Sequence, residues 1–133
     1  MAEVVRLDAV LPMSYFTVDT IRQLSVLEPY GKSNTRPVFA DRNIKITRAG
    51  IVGVNRNVLK LHLLDSKGNP VAGVYFGEVE KFLTFLSEKF GSEEVDAAMH
   101  GKENSIQFAA VYEPAVDTYS GRESVQAIIR RFR

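Results

Sequence analysis

Val58-Leu59-Lys60-Leu61-His62-Leu63-Leu64 is the stretch on which the fold turns, because apolar and polar residues alternate through it with a period of two. Successive side chains of a strand face opposite sides, so Leu59, Leu61 and Leu63 share one face while Val58, Lys60 and His62 share the other. The leucine face points inward. Working backwards, Asn55-Arg56-Asn57 is a turn, and before it Ile44 and Ile46 alternate with Lys45 and Thr47. The pattern resumes after Gly50 as Ile51, Val52 and Val54, which predicts one long strand bent near the glycine. Working forwards, Ser66-Lys67-Gly68-Asn69-Pro70 reads as a hairpin loop into a third strand, Val71 to Phe76.

Between Gly77 and Gly91 the period changes. Val79, Phe82, Leu83, Leu86 and Phe90 fall at helical spacing and form an apolar stripe. An extended stretch around Val95 to His100 follows, then a long strand Ser105 to Val116, a turn at Tyr119-Ser120-Gly121 and a last strand Arg122 to Phe132. Ahead of the strands, an apolar lead from Val4 to Leu11 ends at Pro12. Val18, Ile21 and Leu24 then follow helical spacing behind Thr17, an N-cap, and Pro29 stops that helix. The string is strand, strand, strand, helix, strand, strand. It predicts a β-rich α+β chain, a five-stranded Greek-key barrel with a helix between strands 3 and 4 and a further N-terminal helix. Such barrels bind oligonucleotides and oligosaccharides. A different mixed α+β sheet produces the same string.

Composition narrows the chemistry. The 133 residues suit one compact domain, with residues 1–37 as a lead, helix and loop packing on a barrel of residues 38–133. Hydrophobic residues at 45% and charged residues at 25% are globular values. No run of eighteen apolar residues and no secretory leader occur, so a soluble, cytoplasmic protein with no membrane partner is expected. With no cysteine, disulfides, thiolate catalysis and cysteine zinc sites are excluded.

The net charge of +1 conceals segregation. From Lys32 to Lys60 there are seven basic residues against one acid, Asp41. Arg122, Arg130, Arg131 and Arg133 oppose only Glu123 in the last twelve residues, whereas residues 78–103 hold seven acids against three lysines. If the basic segments meet on one side, the domain carries a positive face for phosphates and a negative back. Charged strand edges that block aggregation would give the same distribution.

The stretch Leu27-Glu28-Pro29-Tyr30-Gly31-Lys32-Ser33-Asn34-Thr35-Arg36-Pro37-Val38-Phe39 resembles the "LEPFGxGNPxPxF" signature ahead of the C-terminal oligonucleotide-binding (OB) barrel of RecJ-type single-stranded-DNA-specific exonucleases. Asn57 to Leu63 is similar to that family's "HLKLxL" strand. Val74-Tyr75-Phe76-Gly77 is similar to its "aiaFg" strand end, and Tyr119 to Gln126 to its closing "NxYxGxxxVQL" hairpin. Order and spacing agree over residues 20–132. Ser33 and Thr35 replace a glycine and a proline of the signature, Val58 stands where histidine is usual, and Asp117 lies near the expected asparagine.

The resemblance implies a fragment of a longer enzyme that degrades single-stranded DNA from the 5′ end, with Met1-Ala2 as an artificial start. It also implies an N-terminal core holding Mn²⁺ or Mg²⁺ through aspartates and an Asp-His-His motif. This sequence contains no Asp-His-His, and His62 and His100 stand alone. Two-metal hydrolysis needs several converging carboxylates and imidazoles. No catalytic residue, metal ligand or cofactor is therefore expected in this chain, which should be inactive by itself. The expected function is single-stranded DNA binding that positions the strand for the parent's catalytic domains, with other repair proteins as further partners. The alternative is a structural or protein-interaction module of the same nuclease with little DNA affinity.

An unstructured strand is bound by cations that track phosphates and by flat side chains on which bases stack. In OB barrels the second and third strands and the loops joining strands 1–2 and 4–5 form the ligand face. That face predicts Arg56, Asn57, Lys60, His62, Tyr75, Tyr119 and Arg122 as nucleic-acid contacts. The signature loop adds Tyr30, Lys32, Asn34 and Arg36. Each has a plainer reading: Tyr30 and Tyr75 as packing aromatics, Lys60 as an edge charge, Asn34, Arg56 and Arg122 as turn residues. Joint placement on one face is what distinguishes the two.

Overall fold

The computed structural model describes residues 9–26, 37–118 and 121–133. Its strands are β1 (Ala9–Val10), β2 (Phe39–Val52), β3 (Val58–Leu64), β4 (Pro70–Phe76), β5 (Gln107–Asp117) and β6 (Ser124–Phe132). Its helices are α1 (Val18–Val26), α2 (Val79–Phe90) and α3 (Ser92–Met99), with a 3₁₀ turn at Met13–Tyr15. One mixed sheet contains all six strands in the order β1-β2-β3-β4-β6-β5. A further antiparallel pairing joins β2 to β5, so five strands are hydrogen-bonded in a cycle. The pair β4–β6 is parallel, and the short β1 adds parallel to the start of β2.

The predicted β3 and its inward leucines are present as read: Leu59, Leu61 and Leu63 are 0%, 2% and 1% exposed. Gly73 of β4 lies against them, where a Cβ would sit 2.5 Å from Leu63 Cδ1, so no side chain fits without movement. One end of the ring is closed by α2, whose Val79, Phe82 and Leu86 are buried as their spacing predicts. Phe82 stacks on Phe132 at 4.5 Å and meets Phe108 edge-on at 5.5 Å. At the other end Met13, Phe16 and Ile21 join the same core, Phe16 packing on Phe39 at 4.7 Å. The N-cap read at Thr17 is present, its hydroxyl accepting the Thr20 N–H at 3.1 Å.

Three expectations need correction. The long strand is not bent at Gly50, which pairs in regular register with Lys60. Its irregularities lie between Asp41 and Ile44 and between Ile46 and Arg48. Each inserts one extra residue into β2, and at the first of them Asn43 takes a left-handed φ of 58°. The second correction concerns the expected extended stretch at Val95 to His100, which is mostly α3. Gly91, at φ 98°, breaks the chain away from α2, and Glu93 and Glu94 occupy the first turn of α3, where the helix dipole favours acids. Lastly, β1 adds a strand that the apolar lead did not disclose.

Two buried carboxylates fasten the 3₁₀ turn to the ring. Asp41 accepts N–H bonds from Met13 at 3.1 Å and Ser66 at 3.3 Å. Asp65 accepts them from Ser14 at 2.9 Å, Lys67 at 3.0 Å and Asn69 at 2.9 Å, and also accepts the Ser14 hydroxyl. Burial pushes the Asp65 carboxyl up, but the Ser14 hydroxyl and the three N–H donors outweigh it and hold the group below its ordinary value. Beside them the buried Tyr112 hydroxyl donates to the Leu11 carbonyl at 2.7 Å. Burial, and then the charges of Asp41 and Asp65, push that phenol strongly upward.

Candidate nucleic-acid interface

The candidate face is built outward from β3. Its register pairs Lys60 with Gly50 of β2 and Val74 of β4, and His62 with Arg48 and Ala72. Directly paired residues project to the same side of a sheet, so Arg48, Lys60 and His62 all leave the ring outward, opposite the leucines. All three are exposed. Arg48 was not singled out by sequence. It reaches this side because the extra residue at Thr47 shifts the phase of β2, and its guanidinium lies over Gly101, where a Cβ would meet Nη1 at 3.2 Å.

Arg56 occupies the β2–β3 connection at φ 52°, its N–H bonded to the Gly53 carbonyl at 3.1 Å, and is exposed at the end where β3 begins. Asn57 is exposed too, and its carbonyl accepts the Gly77 N–H at 2.9 Å, which ties that loop to the end of β4. Arg122 sits in the β5–β6 connection. Because β6 runs parallel to β4, with Ala72 beside Gln126, Arg122 lies towards the start of β4, at the far end of the face from Arg56.

Tyr75 is on the other side of β4. It pairs with Leu59, shares the inward face, and its ring stands edge-on to Phe82 at 5.1 Å and Phe132 at 5.7 Å. Burial, with the nearby Glu78 charge second, raises its phenol. The neighbouring Phe76 pairs with Val58, faces outward and is 54% exposed. An aromatic surface therefore exists on the β3–β4 side, one residue from where sequence reading sought it. Run-on apolarity through Val74-Tyr75-Phe76 gave no alternation from which to choose. Tyr30, Lys32, Asn34, Arg36 and Tyr119 lie outside the described residues.

Not every cation converges here. Arg42 lies on the part of β2 that pairs with β5, and Arg131 faces outward from the end of β6, across the ring from β3, whereas Lys45 pairs with Leu64 of β3 as well as Gln107 of β5 and so projects to the same outer side as His62. Arg130 bonds the buried Glu113 carboxylate through Nη2 at 2.5 Å and Nε at 3.2 Å. Among the described residues no three of His, Asp or Glu come together in a way that could hold a metal ion. No helix among them is long and apolar enough to cross a membrane.

Residues 7–131 match the family model described as the RecJ OB domain. No curated protein matches the chain.

Proposed function

We propose, from the premise that this chain belongs to the RecJ OB domain family, that it binds single-stranded DNA across the outer side of β3 and β4. In this reading the cycle of five strands is the Greek-key barrel of an OB domain, with α2 between its third and fourth strands. Arg56, Lys60, His62 and Arg48 follow the phosphates, Phe76 offers a face for a base, and Arg122 meets the strand as it leaves. The bound strand is thereby positioned for the catalytic domains of a RecJ-like 5′→3′ exonuclease, which would supply the Mn²⁺ or Mg²⁺ chemistry.

What carries the reading is the shared outward side of Arg48, Lys60 and His62 beside an exposed aromatic, on strands whose opposite faces form the core. Edge protection does not account for Lys60 and His62, since β3 is paired on both sides and has no edge to protect.

Titrating a fluorescent oligo-dT against the purified chain at several salt concentrations tests it. The expected slope of log K against log salt is about −2 to −3, from three or four neutralised phosphates at roughly −0.7 each. Lys60→Ala should make the slope about 0.7 shallower. No binding at low salt overturns the proposal and favours a structural or protein-interaction module instead.

A further inference from the structure

Three arginines away from the β3–β4 face line one groove. Over the start of β2, the start of β5 and the end of β6 runs a groove of about 440 Å³, walled by Arg42, Arg131 and Arg133 and floored by Ala40, Ala109 and Val111. A second hollow of about 270 Å³ continues it, sharing Arg42, Ala109 and Arg133 and adding Lys89, Asn43 and Gln107.

Two bulges build the walls. In β2 the extra residue between Asp41 and Ile44 turns both Arg42 and Asn43 to the surface. In β6 the register skips Arg130 between Ile129 and Arg131, so Arg131 faces outward opposite Val111. Reciprocal backbone bonds between Ala109 and Arg133, at 2.9 and 2.8 Å, hold the last residue against β5. Ala40, Ala109 and Ala110 lie beside Val111 and Phe132 in the lining, so the groove between the arginines is apolar at its base. The acid in this lining, Asp41, is 3% exposed and engaged by the N–H groups of Met13, Arg42 and Ser66. Its charge is therefore directed into the fold rather than at the groove.

We propose that this groove is a second phosphate track, which takes a further segment of the same DNA strand on the side of the ring away from β3. The inference rests on the reading that the chain binds single-stranded DNA. A positive channel with several donors fits a flexible phosphodiester, whose charge is evenly spaced and whose bases can turn to solvent or lie against the apolar base of the groove. One OB domain occupies about 4–16 nucleotides, so a short oligonucleotide of about five fills one track and one of about sixteen reaches both.

The test compares those two lengths of oligo-dT on the wild-type chain and on the double variant Arg42→Ala/Arg131→Ala. Short-oligonucleotide affinity should be unchanged, while the salt slope for the long one should become about 1.4 shallower. The charge-retaining pair Arg42→Lys/Arg131→Lys should keep the wild-type slope, which separates loss of charge from loss of fold. Equal behaviour of wild type and the alanine variant at both lengths overturns the second track and leaves the β3–β4 reading standing. Failure of the wild type to bind either length overturns that reading, and the track with it.

Discussion

Phe76 and Tyr75 are adjacent in sequence and on opposite faces of β4, so replacing each with alanine separates binding from folding. Phe76 is 54% exposed, and its removal leaves no enclosed cavity; the cost in stability should stay below about 1 kcal/mol. If a base stacks on it, its loss removes about 1–3 kcal/mol of binding, roughly a 5- to 150-fold weaker Kd for oligo-dT. Tyr75→Ala empties a site between Phe82 and Phe132, whose rings stand 5.1 and 5.7 Å away. Full burial of such a ring is worth about 3–5 kcal/mol, and partial burial here brings the expected loss to about 2 kcal/mol. For a chain of this size that lowers Tm by roughly 8 °C. The assays are fluorescence anisotropy and thermal melting on the same preparations, with affinity measured well below the lower Tm. A Phe76→Ala chain that binds as wild type, beside a Tyr75→Ala chain that melts normally and binds poorly, refutes the assignment of faces.

Asp65→Ala leaves the N–H groups of Ser14, Lys67 and Asn69 without their carboxylate; with water replacing part of it, a loss of about 3 kcal/mol in urea unfolding is expected. Because the folded Asp65 titrates below its ordinary value of 3.8, its stabilisation is complete above that pH and fades as pH falls through the lowered value. Acid melts should therefore show wild type and Asp65→Asn converging below about pH 4 and separated at pH 7; a constant gap contradicts the carboxylate's role. Gly73→Ala forces a methyl to within 2.5 Å of Leu63 Cδ1, so a loss of about 1–3 kcal/mol is expected, with Leu63→Val in the same chain recovering part of it. Tyr112→Phe removes the donor to the Leu11 carbonyl and should lower stability by about 1 kcal/mol, read as an earlier urea midpoint at unchanged m.

Much of this protein was legible from its sequence because the signals were local. Strict alternation made β3 and its leucine face certain from seven residues, and the spacing of Val79, Phe82 and Leu86 set the buried side of α2. The signature before Phe39, with the later strand ends, pointed to the family that residues 7–131 match. Even α3 left a trace, in two glutamates followed by Val95, Ala98 and Met99 at helical spacing, but its apolar content is too thin to stand out. The buried Asp65 was foreshadowed by a turn of Ser66, Lys67, Gly68 and Asn69, whose N–H groups seek such an acceptor.

Which cations share a side was not legible, since a strand's phase reverses with each inserted residue. The bulge at Thr47 moves Arg48 to the side of Lys60, the one between Asp41 and Ile44 exposes Arg42 and Asn43 together, and the one at Arg130 does the same for Arg131. In the apolar run at Val74-Tyr75-Phe76 the phase came only from pairing with Leu59 and Val58. Sequence alone determined α2, the strands from β2 to β4 with their core leucines, and the likeness to the RecJ OB domain, but not α3 or β1. The closed cycle of pairings, which no single segment encodes, decided that the positive charge divides between two sides of the ring.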